Sequence, residues 1–204
     1  MRTGLSPAEL AEIAEKLDES AAGYSGFLSW ARDEVEEIDT PQGEREPWRA
    51  TLMVFAGRGR VEVLRALLKD HPQWVSPHTE ALIRATDAEL EEWLSEEWNR
   101  ISEELEVALP ILLAAYRGGY TPGDHPDIGW NFDDFLDERD LLEFLLAGLG
   151  DLFPVTEFRE GLAEADREAR AWILALHLES FREEFFPGRV EWYPSRFWWH
   201  HSLE

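Results

Sequence analysis

The chain has 204 residues, of which 43 are Asp or Glu and only 19 are Lys or Arg, so its formal net charge is −24. An apolar fraction of 44 %, with ten tryptophans, is enough for a hydrophobic core and excludes an intrinsically disordered chain. The chain has no cysteine, which excludes disulfide scaffolds, thiolate catalysis and cysteine-ligated zinc. Its acidity argues against direct binding to nucleic acid or to an anionic membrane, because both would repel the protein.

The sequence carries no targeting or membrane signal. Its first ten residues are largely polar, and no apolar run approaches the roughly 18 residues that a membrane-spanning helix needs. We therefore expect no membrane partner and a cytoplasmic location.

Apolar residues recur at helical spacing along most of the chain, which predicts an all-α multi-helix bundle. Ser6 and Glu9 form a capping box that opens the first helix, and Gly23 is expected to end it. The segment Gly57–Gly59 is expected to break two helices apart, and Thr86 to cap a long one. About eight helices are predicted, over 7–23, 27–38, 47–57, 61–70, a short one from 76, 86–118 with a kink at Pro110, 132–147 and 157–186.

Charge is unevenly distributed along the chain. Residues 1–78 carry 14 acidic and 9 basic side chains, whereas residues 79–204 carry 29 and 10. The sequence therefore predicts either one compact body or a helical module over residues 1–75 packed on a larger acidic bundle over residues 76–204. The C-terminal tail is rich in aromatic residues, which we expect to be buried against the body or against a partner: Trp192, Tyr193, Phe197, Trp198 and Trp199.

The segment from Trp48 to Pro72 combines an apolar helix, a Gly-Arg turn, a helix with Leu-x-x-Leu spacing and a closing proline. In this it resembles the end of a prokaryotic effector-associated, death-like domain. The resemblance covers about a third of the chain, and the chain departs from it at Gln73, where the family usually has asparagine. It implies an adaptor module for homotypic docking in a bacterial conflict system. If the chain self-assembles in this way, we expect Arg58 and Arg60 to lie at the contact. A single ankyrin-like unit over 59–68 fits the same residues.

Two acidic segments could hold a metal ion. Asp133, Asp134 and Asp137 spell the DDxxD pattern with which class I terpene synthases bind magnesium, although the second metal motif of those enzymes is missing here. The preceding loop supplies Asp124, His125 and Asp127, which could complete a mixed site. A solvated helix start and an aspartate-capped turn explain the same residues, so we expect no cofactor and no metal.

Two Arg–His pairs resemble the loose signature of HEPN ribonucleases. They are Arg65 with His71 and Arg170 with His177, in which a histidine acid–base would act beside an arginine that stabilises a phosphorane. In both pairs alanine follows the arginine, where that family prefers a polar residue, and RNA would have to approach a strongly acidic surface.

Glutamates are dense between residues 89 and 106, where eight of 18 residues are Glu. On a helix, five of them are expected to share one ridge, opposite an apolar stripe: Glu89, Glu92, Glu96, Glu103 and Glu106. We expect this ridge, with Asp133, Asp134 and Asp137, to bind a basic protein partner without catalysis, as an inhibitor, an immunity protein or a nucleic-acid mimic. The alternatives are the self-assembling adaptor and a metal-dependent or HEPN-type hydrolase.

Overall fold

The computed structural model describes residues 4–36, 48–119, 128–150, 152–175, 192–194 and 197. Within these residues the secondary structure is helical and contains no strand, which confirms the all-α class. Five α-helices and one short 3-10 helix are present there: α1 (Pro7–Glu36), α2 (Trp48–Leu67), the 3-10 helix (Pro72–Trp74), α3 (Pro77–Gly119), α4 (Ile128–Leu149) and α5 (Thr156–Ala175).

The capping box at the start of α1 forms as predicted. The Ser6 backbone N–H donates to Glu9 Oε2 at 2.7 Å, and the Glu9 N–H donates to Ser6 Oγ at 3.3 Å. The start of α3 is capped in a similar way, because the Thr79 N–H donates to Ser76 Oγ at 3.0 Å. Helices α1 and α3 therefore begin where the sequence supplies an acceptor for their first free N–H groups.

The prediction of about eight helices was wrong, because three expected breaks lie inside continuous helices. Gly23 lies within α1, and Gly57 and Gly59 lie within α2. Thr86 lies inside α3, where its hydroxyl donates to the Leu82 carbonyl at 3.0 Å and so bonds back along the helix instead of capping it. The next helix also begins earlier than predicted, at Ile128 instead of residue 132. The expected helix over 176–186 lies outside the described residues.

The chain divides into two compact units. Unit 1 comprises residues 1–108 and 144–153, and unit 2 comprises residues 109–143 and 154–204. The boundary expected from the sequence, between residues 75 and 76, falls inside unit 1. In the part of the chain that the structure describes, no helix is both long and apolar enough to cross a membrane.

In unit 1 the glycines of α2 permit close helix packing. A Cβ atom added at Gly59 would lie 1.7 Å from the Phe144 carbonyl oxygen of α4, and one added at Gly148 would lie 1.8 Å from the Phe55 oxygen of α2. The backbones of α2 and α4 therefore touch at this crossing. Gly57 plays a similar role against α1, because its added Cβ would lie 3.2 Å from the Tyr24 Cα atom.

Unit 2 contains a buried ion pair. The Arg139 guanidinium, whose side chain is 4 % exposed, donates from Nε and Nη2 to the two Asp166 carboxylate oxygens at 2.8 and 2.9 Å. Its Nη1 donates to Glu143 at 3.1 Å, and the Tyr116 hydroxyl donates to Asp166 at 2.8 Å. These carboxylates raise the pKa of Arg139 even though its burial acts in the opposite direction.

The aromatic residues Trp192, Tyr193 and Phe197 are buried, whereas Trp198 and Trp199 lie outside the described residues.

We predict that Gly59→Ala or Gly148→Ala destabilises the protein by more than about 3 kcal/mol, because the added methyl group must separate two helix backbones. Gly26→Ala is the matched control, since an added Cβ there meets no atom within 4 Å. It should stabilise α1 by about 0.5–1 kcal/mol. Urea unfolding followed by circular dichroism measures all three free energies of unfolding. Equal effects at the three positions would contradict the close crossing.

A second prediction concerns the buried ion pair of unit 2. Arg139→Met should destabilise the protein by about 3–5 kcal/mol, because two largely buried carboxylates lose their cation. Arg167→Met, at an exposed position of α5, removes the same charge and should change stability by less than about 0.5 kcal/mol. Comparison of the two free energies of unfolding separates the loss of the pair from the loss of charge.

Candidate interaction surface

The five glutamates predicted to share a face of α3 are all exposed. We call them the glutamate ridge: Glu89, Glu92, Glu96, Glu103 and Glu106. Glu89, Glu96 and Glu103 follow one another at intervals of seven residues, which corresponds to about 10 Å of helix axis and nearly two turns. The apolar residues of the other face, such as Trp93 and Ile101, are buried. The helix therefore presents one apolar face to unit 1 and one acidic face to solvent.

Most of the ridge carries negative charge that no described residue neutralises. Glu92 Oε2 lies 3.5 Å from Arg32 Nη1 of α1, in an exposed pair of the kind that contributes little to stability. The other four carboxylates, at Glu89, Glu96, Glu103 and Glu106, form no hydrogen bond or ion pair with any residue that the structure describes.

The remaining glutamates of this stretch differ in their pairing. Arg100 donates from Nε to Glu97 at 3.1 Å and from Nη1 to Glu104, which also accepts a hydrogen bond from the Thr51 hydroxyl of α2. The Arg100 guanidinium lies over the ring of Trp93, with 5.7 Å between its central carbon and the ring centroid. Glu91 is exposed and has no partner among the described residues. Arg100 thus neutralises the half-buried carboxylates of Glu97 and Glu104 and contributes no positive charge to the ridge.

The residues predicted for self-docking, Arg58 and Arg60, are half-buried. Arg58 donates from Nη1 to the Gly148 carbonyl at 3.0 Å, and its Nε lies 3.3 Å from Glu62. The Arg60 guanidinium lies over the Phe144 ring, with its central carbon 5.9 Å from the ring centroid. Both side chains therefore take part in the crossing of α2 and α4.

Next to this crossing, two titratable groups have shifted pKa values. Burial and the nearby Asp87 carboxylate raise the pKa of Tyr24 well above its ordinary value, and the Tyr24 hydroxyl donates to Asp87 at 3.1 Å. Partial burial raises the pKa of Glu62, which Arg58 partly opposes and Asp87 reinforces. Glu62 is therefore a carboxyl group whose ionisation the folded state disfavours.

The predicted metal and ribonuclease residues are not brought together in the part of the chain described. Asp124, His125, Asp127 and His177 lie outside it, and Asp133, Asp134 and Asp137 lie on α4 with side chains outside it. Among the described residues no group of three or more histidine, aspartate or glutamate side chains could hold a metal ion. Arg65 Nη2 pairs with Glu80 at 3.3 Å, and both Arg65 on α2 and Arg170 on α5 are exposed.

Sequence reasoning identified the ridge but missed how the rest of the acidic stretch is neutralised. Glu97, Arg100 and Glu104 have the (i, i+3) and (i, i+4) spacing of helical ion pairs, which could have shown that two of the eight glutamates are engaged. The Arg32–Glu92 pair joins two helices across 60 residues of chain, and no local signal reveals it.

Comparison with protein families, with curated proteins and with solved structures found no match.

We predict that Glu62 makes the stability of the protein depend on pH. Because its pKa is higher in the folded than in the unfolded state, its contribution to stability should fall as the pH rises above about 4.5, where the unfolded group ionises. Glu62→Gln should remove this part of the decline between pH 4.5 and 7. Urea unfolding across that range measures the slope. Glu12→Gln, at an exposed position of α1, removes the same charge and is the control, so equal slopes for both variants would contradict the prediction.

Proposed function

We propose that this protein is a non-catalytic interaction protein that binds a basic protein partner through the glutamate ridge, and that it acts in the cytoplasm. The observation that carries the proposal is the set of four ridge carboxylates on one exposed helix face without a cation among the described residues. Such a face attracts a basic surface over several ångströms and speeds association. The partner could be inhibited or neutralised by this contact, as an inhibitor or an immunity protein would do.

The spacing of the free charges favours a basic protein surface over strict imitation of a DNA strand. With Glu92, Glu97 and Glu104 engaged, the five remaining carboxylates between residues 89 and 106 give about one charge per 5 Å of helix axis. One strand of DNA carries a phosphate about every 3.4 Å. A groove that selects phosphates by their spacing would match this helix poorly, whereas lysines and arginines on flexible side chains can adjust. Asp133, Asp134 and Asp137 belong to the proposed contact on the strength of the sequence alone.

The self-assembling adaptor receives less support from the described residues. The Arg58 guanidinium is bound to Gly148 and Glu62 within the same unit, so reversing its charge would disturb the fold as well as any contact with a second copy. Two copies with a net charge of −24 each would also repel one another over long distances. The hydrolase alternative has no supporting side-chain arrangement among the described residues.

The proposal predicts that a triple charge reversal on the ridge removes partner binding without unfolding the protein. The partner is first captured from a lysate of the native cells with immobilised protein and identified by mass spectrometry. Glu89→Lys, Glu96→Lys and Glu103→Lys together should then weaken binding at least about 100-fold, because three attractive contacts become repulsive. The wild-type association rate should fall steeply as salt is raised.

A matched variant controls for the change in net charge. Glu12→Lys, Glu15→Lys and Glu19→Lys reverse three exposed glutamates of α1 that pair with no described residue, and they change the net charge by the same amount. This variant should bind the partner nearly as well as the wild type does. Equal loss in both variants would show that only total charge matters, and unchanged binding in the ridge variant would overturn the proposal. Circular dichroism confirms that both variants are folded.

A further inference from the structure

A cleft of about 460 Å³ opens beside the C-terminal end of α2, within unit 1. Its volume lies in the range of small-molecule sites, which is roughly 300–1,000 Å³. The floor is apolar, and the charged groups come from the last turn of α2, the turn after it and the first turn of α3. The lining residues are Arg65, Ala66, Leu68, Lys69, Pro72, Val75 and Glu80.

The walls of this cleft are fixed by hydrogen bonds in the chain that connects α2 to α3. The His71 N–H donates to the Leu68 carbonyl at 2.8 Å, and the Val75 N–H donates to the Pro72 carbonyl at 3.2 Å. At the start of α3 the Thr79 hydroxyl donates to Asp18 of α1, which anchors that wall of the cleft to another helix. A ligand would therefore enter a largely preformed site and would order little of the chain on binding.

The charges of the cleft leave one cation without a partner. The guanidinium of Arg65 pairs with Glu80 at 3.3 Å, so this anion is already engaged. The ammonium of Lys69 is exposed and forms no ion pair with any described residue. A cation near a helix C-terminus ordinarily stabilises the negative end of the helix dipole. In α2 this cation is Arg65, in the last turn, so the dipole does not account for Lys69. The lining thus carries one positive charge in excess beside an apolar floor.

We propose that this cleft binds a small apolar carboxylic acid. The hydrocarbon part would pack on the side chains of Ala66, Pro72 and Val75, and the carboxylate would accept a hydrogen bond from the Lys69 ammonium. The net charge of −24 does not exclude this anion, because at physiological salt charges more than about 8 Å apart are largely screened whereas a contacting ammonium is not. The site is independent of the glutamate ridge and of its partner.

Titration with hexanoate at pH 7, followed by NMR of the methyl groups of Ala66 and Val75, tests the proposal. We expect saturable shifts with a Kd near about 1 mM, a value suited to a ligand with one charge contact and a short tail. Hexanamide has the same shape without the charge, and it should bind at least about fivefold more weakly. Inorganic phosphate, which lacks the tail, should give no saturable shift of these methyl groups.

Three variants separate recognition at this site from unspecific binding. Lys69→Glu should weaken hexanoate binding at least about tenfold. Lys16→Glu alters the only other lysine of the chain, which does not line the cleft, and should leave the affinity unchanged. Val75→Trp should abolish binding by filling the cleft. No saturable shift up to about 20 mM hexanoate, equal binding of hexanamide, or equal binding to the Lys69→Glu variant would each overturn the proposal.

Discussion

The packing of unit 1 depends on the direct contact between the backbones of α2 and α4 at Gly59 and Gly148. No side chain larger than hydrogen fits at either position, so the two helices can approach more closely than ordinary packing distances allow. This contact holds residues 144–153 in unit 1, although the preceding part of α4 belongs to unit 2. It also explains the neighbouring arginines, because Arg58 caps the Gly148 carbonyl and Arg60 covers Phe144. In the sequence Gly57 and Gly59 suggest a helix break. In the structure α2 continues through both, and they allow neighbouring helices to approach it closely.

Some of the few cations of this acidic chain neutralise largely buried carboxylates, as at Glu104 and Asp166, whereas others form exposed pairs, such as Arg32 with Glu92. Arg100 engages Glu97 and Glu104 near Trp93, Arg58 engages Glu62 beside the crossing of α2 and α4, and the same logic gives Asp166 its buried partner in unit 2. Burial makes an unpaired charge costly, so the cations are needed there first. The outward face of α3 remains acidic because, among the described residues, a cation lies close to the ridge at Glu92 alone, where Arg32 approaches it. The ridge thus keeps its charge although a cation such as Lys69 has no carboxylate partner among the described residues.

The helical class, the capping box at Ser6 and Glu9, and the exposed ridge could be predicted from the sequence because each depends on local spacing. The helix ends expected at glycines could not be predicted. A glycine can end a helix or make room for a neighbouring helix, and only the tertiary structure distinguishes the two roles. Gly150 has a φ of 50° and follows the end of α4, which is the conformational role that the sequence rules assume. Gly57 and Gly59 instead make room for neighbouring helices. The cleft beside Lys69 also escaped sequence reasoning, since its two walls come from α2 and α3 and meet only after the connecting turn has folded.

The ridge is difficult to explain as a device that stabilises its own helix. Acidic residues favour the first turn of a helix, where the dipole is positive, and α3 has Glu80 at that place. The ridge begins at Glu89, more than three turns after the start, where the dipole gives no such benefit. Pairs such as Glu89 with Glu92 and Glu92 with Glu96 are spaced at three and four residues, at which like charges destabilise a helix by about 0.2–0.5 kcal/mol each. Solubility would be served equally by glutamates spread over many faces. A row of carboxylates on one helix face, present at a cost to that helix, therefore supports the proposal that this face contacts a basic partner.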